Sequence, residues 1–191
     1  MKHYRGFLSE TDARRCMKHL TILRRGGRLS SGKIFGNKIP REYMAFSDEG
    51  VQPYKFTGSK SMIVRYDWPS WLTTVKRRVE KVTGETYNYV LINYYKDGQS
   101  SVGWHADDEK AVVPGSTIAS VSVGETRLFR MRINADLHTA PEIKNYHLES
   151  GDLLVMARDL QQFSYHCLSK TAKSDVGPRF NLTFRKNLIS V

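Results

Sequence analysis

Short strand-like runs follow one another from residue 87 onward, and this pattern constrains the fold more than any other feature. The runs are rich in β-branched and aromatic residues, and turn pairs such as Asp97-Gly98 and Pro114-Gly115 separate them. They span residues 87–93, 117–123, 127–133, 152–157 and 180–184. Many short strands after an early helical region predict an α+β fold, in which a jelly-roll (double-stranded β-helix) core carries N-terminal helices on its outside.

Two helices are expected before the strands. The first begins near Ser9, which can cap it, and ends at Gly26-Gly27. The second begins at Pro69, ends at Gly84, and carries an apolar stripe at helical spacing: Leu72, Val75, Val79 and Val82. No repeat or linker interrupts the chain. We therefore predict a single domain over residues 1–191, with helices and a lid in about 1–85 and the jelly-roll core in about 86–191.

Charge and composition indicate which kinds of molecule the protein binds. Thirty Lys and Arg oppose nineteen Asp and Glu, which gives a net charge of +11. Such a surplus favours polyanions, and nucleic acid is the commonest polyanion inside cells. The two cysteines form neither a zinc framework nor a disulfide scaffold, and no apolar run approaches the roughly 20 residues of a membrane span. We expect an intracellular protein with no membrane partner.

His105-Ala106-Asp107 predicts one side of a metal site, because residues i and i+2 of an extended strand point the same way. His138, His147 and His166 compete to be the third ligand. His138 lies in a polar loop and His147 can be an ordinary strand residue, whereas His166 follows a well-marked turn and strand and is our choice. Two imidazoles and one carboxylate on one face of an octahedron are typical of non-heme Fe(II) oxygenases.

The segment 179–185 alternates strictly between apolar and polar side chains. Phe180, Leu182 and Phe184 share one face, and Arg179, Asn181, Thr183 and Arg185 share the other. If the polar face points inward, two guanidiniums are buried, which is costly unless an anion pairs with them. A dicarboxylate satisfies two arginines through forked hydrogen bonds, and 2-oxoglutarate, consumed with O2, is the dicarboxylate that iron oxygenases use. A surface strand with alternating basic residues is the alternative.

Together these elements resemble the AlkB dioxygenases. Asn93-Tyr94-Tyr95, His105-x-Asp107, His166 and Arg179-x-Asn181-x-x-x-Arg185 match the N-x-Y, H-x-D, H and R-x-N-x-x-x-R set of that family in order. Other stretches are similar to the branch that repairs alkylated double-stranded DNA in nuclei. The resemblance implies Fe(II) on His105, Asp107 and His166. It also implies 2-oxoglutarate on Asn93, Tyr95, Arg179, Asn181, Thr183 and Arg185.

The activity implied by the resemblance is oxidative demethylation of 1-methyladenine and 3-methylcytosine in DNA, which releases formaldehyde. A nucleotide-recognition hairpin would form the lid. The enzyme would contact its substrate through four groups of residues. These are an intercalating pair (Ile34 and Phe35), a base pocket (Tyr54 and Phe56), acidic contacts to the base (Asp108 and Glu109) and a phosphate anchor (Arg41). The partner would be DNA, duplex or single-stranded, bound by a monomer in the nucleus of a eukaryote or otherwise in the cytoplasm.

Three alternatives remain open at this stage. The same chemistry can act on RNA, or the fold can serve as a non-catalytic nucleic-acid-binding module. A hydroxylase of proteins or small molecules would need neither the charge of +11 nor the hairpin. The Ile34-Phe35 pair can also pack on the core as an ordinary β-hairpin.

Overall fold

The computed structural model describes residues 1–34, 36–52, 64–133, 140–157 and 160–190. The described residues form three helices and twelve strands. In chain order these are β1 (Lys2–Tyr4), α1 (Glu10–Arg25), β2 (Ser30–Ile34), β3 (Asn37–Ser47), β4 (Val64–Arg65), α2 (Ser70–Thr83), β5 (Tyr89–Tyr95), β6 (Val102–His105), β7 (Ile118–Gly124), β8 (Arg127–Ile133), β9 (Glu142–Leu148), β10 (Leu153–Met156), α3 (Leu160–Phe163), β11 (Ser164–Leu168) and β12 (Arg179–Arg185).

The strands from β5 onward divide between two sheets, as the jelly-roll prediction requires. In the described residues the major sheet has the order β1-β10-β7-β12-β5-β3-β2, with β4 beside β3. The minor sheet has the order β6-β11-β8-β9. The chain crosses repeatedly from one sheet to the other, so β6 and β11, β5 and β12, and β7 and β12 are distant in sequence but pair antiparallel. β8 and β9 are consecutive and pair directly. The double-stranded β-helix is therefore confirmed.

The N-terminal segment contributes strands as well as helices. β1 pairs with β10 at one edge of the major sheet, and β3 pairs with β5 near the other. β2 and β3 form a hairpin whose register shifts between Ser31 and Lys33, opposite the segment of β3 that holds Pro40. A proline fits there because an irregular pairing does not need its missing N–H. The major sheet thus draws strands from both sides of residue 85.

Helix α1 begins and ends as predicted. The backbone N–H of Asp12 donates to Ser9 Oγ at 3.1 Å, and Gly26 follows the last helical residue. Helix α2 runs from Ser70 to Thr83 and ends at Gly84, whose φ is 71°. Its predicted stripe is right at Leu72, Val75 and Val79 and wrong at Val82, which is 40% exposed. Val82 lies in the last turn, past the part of α2 that packs on the sheet.

The helices cover the outer face of the major sheet. Leu20 of α1 and Val79 of α2 pack in one core cluster with Phe180, Leu182 and Phe184 of β12. A second cluster, which includes Met131 and Leu154, fills the space between the two sheets. The apolar face of β12 therefore packs under the helices, and its polar face points into the space between the sheets. Among the described residues, no helix combines the length and the apolar composition needed to cross a bilayer.

Gly124 ends β7 with a φ of 98° and lies against the chain that enters β12. A Cβ on Gly124 would overlap the carbonyl oxygen of Pro178. We expect Gly124→Ala to lower the free energy of unfolding by about 2–5 kcal/mol, since a left-handed conformation costs about 1–2 kcal/mol and overpacking about 1–3 kcal/mol. Urea denaturation measures this change.

Gly115→Ala is the matched control, because Gly115 has a φ of 76° but no atom within 4 Å of the added Cβ. It carries only the conformational cost, about 1–2 kcal/mol. Equal losses in the two variants would contradict the predicted overlap at Pro178.

Candidate active site

The three predicted metal ligands meet at the open edge of the minor sheet. His105 ends β6 and lies directly opposite His166 of β11 in the antiparallel register. Asp107 follows two residues after the strand ends. Its Oδ1 is 3.8 Å from His105 Nε2, and its Oδ2 is 3.9 Å from His166 Nε2. One ligand atom from each residue falls within 4.8 Å of the others, which is a spacing that one metal ion can bridge.

The other two candidate histidines do not reach this cluster. His147 is exposed on β9. His138 lies outside the described residues. The choice of His166 rested on the expectation that its strand returns past His105, and the pairing of β11 with β6 has that geometry.

The protonation states of this cluster suit a metal. Burial of Asp107 by itself raises its pKa. The positive charge of Arg185, and those of His166 and His105 when protonated, outweigh this effect and hold the pKa well below its ordinary value. Burial lowers the pKa of His166 to about 3, helped by repulsion from His105. A carboxylate and a neutral imidazole are the forms that coordinate metals, so the residues present fit an iron ion.

Polar contacts behind the ligands orient two of them. His105 Nδ1 lies 2.9 Å from the carbonyl oxygen of Gly103, so an N–H at Nδ1 would leave Nε2 for the metal. The backbone N–H of Asp107 donates to Gln161 Oε1 at 2.9 Å. Gln161, on the short helix α3, was missed from the sequence. Nothing in its local pattern distinguishes it, because its contact depends on a fold that brings α3 to residue 107.

The polar face of β12 forms the floor of the same cavity. All three predicted metal ligands and all six residues predicted to hold 2-oxoglutarate line it. Asn181 Nδ2 donates to Ser120 Oγ at 2.7 Å, and Thr183 Oγ1 donates to Asn181 Oδ1 at 2.9 Å. Ser120 lines the cavity and Ser122 contacts Arg179 beneath it, and neither was predicted. They alternate along the strand predicted at 117–123, so the period of two could have indicated their shared direction.

Arg179 carries a buried positive charge at the base of the cavity. Its side chain is 2% exposed, Nη2 donates to Ser122 Oγ at 2.9 Å, and Nε has no hydrogen-bond partner among the described residues. Burial lowers the pKa of Arg179 to about 10. No carboxylate of the described chain forms an ion pair with it. A buried guanidinium with an unused N–H in a polar cavity is the group that a ligand carboxylate would satisfy.

Arg185 and Arg41 make contacts that the sequence did not predict. Arg185 Nη2 lies 2.8 Å from Asp107 Oδ1, so the second arginine of β12 touches a predicted metal ligand. Arg41 Nε donates to Asn93 Oδ1 at 3.0 Å, and Arg41 lines the cavity. Arg41 thus lies beside the predicted 2-oxoglutarate residues, and it also lines a neighbouring open cavity with Lys38. Its role as a phosphate anchor stays a prediction.

The remaining predicted substrate residues divide into two groups. Asp108 is exposed and Glu109 is half-buried, and both line a neighbouring cavity of about 300 Å³ that also contains Asp107 and Gln161. Ile34 ends β2, but its side chain lies outside what the structure describes. Phe35, Tyr54 and Phe56 lie outside the described residues, so their roles stay predictions.

Comparison with known proteins identifies the family. The model of the 2OG-Fe(II) oxygenase superfamily matches residues 1–185. The chain belongs to this superfamily. Over 168 residues it is 39% identical to the DNA oxidative demethylase ALKBH2 of Bos taurus, and the match covers 85% of this chain and 59% of that protein. It is also 39% identical to the alpha-ketoglutarate-dependent dioxygenase alkB homolog 3 of Mus musculus, over 71% of this chain and 49% of the relative.

The superfamily assignment agrees with the fold. The solved structure of OsALKBH1 superposes with a TM-score of 0.65 over 97% of both chains at 18% identity. The resemblance to AlkB proteins and the prediction of Fe(II) and 2-oxoglutarate as cofactors are confirmed. The chain spans about 59% of the length of the bovine relative.

Proposed function

We propose that this 2OG-Fe(II) oxygenase is a DNA oxidative demethylase that reverses N-alkylation of bases such as 1-methyladenine and 3-methylcytosine. The observation that carries the proposal is the shared cavity. It joins a His105, Asp107 and His166 cluster to a buried arginine face on β12. The ALKBH2 relative bears the name DNA oxidative demethylase, which supports DNA as the substrate.

Each group of residues has a separate task in this proposal. His105, Asp107 and His166 hold Fe(II) on one side of the cavity. Arg179 and Arg185 hold the carboxylates of 2-oxoglutarate, while Asn93, Tyr95, Asn181 and Thr183 orient it. Fe(II) and 2-oxoglutarate held there would supply the oxidising power, so that O2 could oxidise a C–H bond of the methyl group while 2-oxoglutarate is converted to succinate and CO2. The hydroxymethyl group then leaves the base as formaldehyde.

The ligand residues already have the protonation states that metal binding needs before any substrate is bound. Burial keeps His166 neutral, and Arg185 keeps Asp107 ionised, so no proton has to leave either ligand near neutral pH. The contact from Arg41 to Asn93 ties the β2–β3 hairpin side of the molecule to the cosubstrate residues. A base delivered by the lid would therefore enter beside groups that are already fixed in position.

A base must leave the stack before its methyl group can reach such a buried cavity. The net charge of +11 supports binding to a phosphate backbone. A DNA substrate would put the protein in the nucleus of a eukaryote or in the cytoplasm of another cell. Both duplex and single-stranded DNA belong to this proposal, with Ile34 and Phe35 as an intercalating pair on duplex substrates, and so does a monomeric state.

The non-catalytic module is the less favoured alternative. A binding module has no need of two histidines that lie 3.8–3.9 Å from one buried aspartate, or of a buried arginine in the same cavity. Burial of these charged groups costs free energy, and in this proposal catalysis is the reason to retain them. RNA in place of DNA would leave every contact described here unchanged.

Mass spectrometry of an oligonucleotide with one 1-methyladenine tests the proposal. We expect the oligonucleotide to lose one methyl group only when the wild-type protein, Fe(II) and 2-oxoglutarate are all present. His105→Ala, shown by circular dichroism to be folded, should leave the methyl group in place. Turnover of 2-oxoglutarate without loss of the methyl group would reject the substrate class, and no turnover at all would favour the binding module.

A further inference from the structure

The outer face of the minor sheet carries exposed aromatic and aliphatic side chains. Trp104 of β6 is 40% exposed, Tyr165 of β11 is 41% exposed, and Ile143 of β9 is 41% exposed. Side chains alternate along a strand, so Trp104 and Tyr165 point away from the cavity that their neighbours His105 and His166 enter. Three large apolar side chains on one face of a four-stranded sheet are more than isolated surface residues.

Two arginines interleave with these rings. In the antiparallel register Tyr165 lies opposite Arg132, and Arg132 lies opposite Ile143, so the three form one row across β11, β8 and β9. The Arg132 guanidinium carbon is 5.2 Å from the centre of the Tyr165 ring and 5.6 Å from that of Trp104. Arg130 approaches Trp104 from the next position of the same face, also at 5.6 Å.

Trp104, Arg130, Arg132, Ile143 and Tyr165 together form what we call the aromatic–arginine face, whose positive charge comes from its two arginines. Within the described chain no carboxylate forms an ion pair with Arg130 or Arg132. The nearby Lys144 and Glu142 pair with each other at 3.4 Å. Contact with the rings restrains both guanidiniums, so less side-chain entropy is lost when they bind an anion. The face therefore offers two prepositioned cations next to aromatic surfaces.

We propose that the aromatic–arginine face (Trp104, Arg130, Arg132, Ile143 and Tyr165) binds single-stranded nucleic acid that flanks the modified nucleotide. Phosphates contact Arg130 and Arg132, and a base stacks on the exposed part of Trp104 or Tyr165. Proteins that bind single strands commonly pair a basic track with aromatic rings in this way. A duplex would offer its phosphates but would keep its bases stacked within the helix, away from the rings.

The aromatic–arginine face and the cavity share strand β6. The inference therefore extends the proposed function and rests on it. β6 is the edge of the minor sheet, and its consecutive residues Trp104 and His105 point to opposite sides of that edge. A strand whose modified base enters the cavity can therefore continue around β6 onto the outer face. The face would act on nucleotides beside the lesion and would not read the lesion itself.

The test measures binding of an undamaged single-stranded oligonucleotide by fluorescence anisotropy, which needs no turnover. Trp104→Ala should weaken binding about 5- to 150-fold, the range for loss of one base–aromatic stack. In Arg130→Ala/Arg132→Ala the plot of log K against log salt concentration should become shallower by about 1.4, since each phosphate contact on a single strand contributes about 0.7. Arg77→Ala/Lys81→Ala, which removes two exposed charges from α2, is the control and should bind like the wild type.

Three outcomes would overturn the inference, and a fourth separates it from the proposed function. Wild-type affinity in both variants would remove nucleic acid from this face while leaving the demethylase proposal intact. Equal competition by an acidic polypeptide would show a general polyanion site without base stacking. Self-association that Trp104→Ala abolishes would assign the face to a second copy of the chain. If the wild-type protein binds through the face but demethylates nothing, the proposed function fails and the binding site stands.

Discussion

Asp107→Ala is expected to abolish methyl removal and to weaken metal binding beyond detection by calorimetry. Asp107 lies 3.8 and 3.9 Å from two histidine nitrogens, and in the proposed function it is the oxygen ligand between them. It is 3% exposed and contacts Arg185 at 2.8 Å. Removal of one partner of a buried ion pair typically costs about 3–5 kcal/mol, so the variant should also lose that much free energy of unfolding.

Asp107→Asn separates ligation from folding. The amide keeps the shape of the carboxylate, and its oxygen can still accept a hydrogen bond from Arg185, so we expect a smaller loss of stability than in the alanine variant. It lacks the charge that a metal requires, so Fe(II) affinity should still collapse. Asp175→Asn, which removes an exposed carboxylate, is the charge control. An active, metal-binding Asp107→Asn protein would show that the ligand assignment is wrong.

Arg179→Met is expected to make the ligand-free protein more stable and the enzyme inactive. Burial lowers the pKa of Arg179 from 12.5 to about 10, so the folded state holds this charge at a cost at every pH below about 10. The cost is relieved only as the pH rises from about 10 toward 12.5. Since one pKa unit corresponds to about 1.4 kcal/mol, removal of the charge should add on the order of 3 kcal/mol to the free energy of unfolding. The lost bond to Ser122 offsets part of this gain.

Denaturation by urea at pH 8, with and without 2-oxoglutarate, measures both effects. Wild-type protein should gain stability from the cosubstrate, and Arg179→Met should gain none, because loss of a buried charged partner weakens binding by about 30-fold or more. Arg179→Lys keeps the charge but not the fork, so it should not show the gain in stability. A less stable methionine variant, or one that still responds to 2-oxoglutarate, would rule out the proposed carboxylate contact.

The sequence predicted correctly those features that a few neighbouring residues determine. The Ser9 cap, the Gly84 stop and the alternation of 179–185 each follow from a few neighbouring residues, and each is found in the structure. β3 was missed because Pro40 and several charged residues interrupt its pattern, and only pairing with β5 and a shifted register with β2 make it a strand. The strand predicted to carry both His105 and Asp107 ends at His105.

The composition of the candidate site was easier to predict than its internal contacts. The alternating face of β12 and the spacing of His105 and Asp107 account for six of the nine predicted residues that line the cavity. The contacts of Arg41 with Asn93, and of Gln161 with Asp107, join segments 52 and 54 residues apart. Such contacts depend on the packing of the two sheets, which no local period contains.

The direct pairing of His105 with His166 has a consequence for the lifetime of the folded protein. β6 has only four residues and, in the described chain, a single neighbour in its sheet. Iron held by both histidines would join this short edge strand to β11, and a ligand that binds only the native state stabilises it. We therefore expect amide hydrogens of β6 to exchange faster when iron is withheld. Iron supply would then govern how long the molecule resists proteolysis as well as how fast it works.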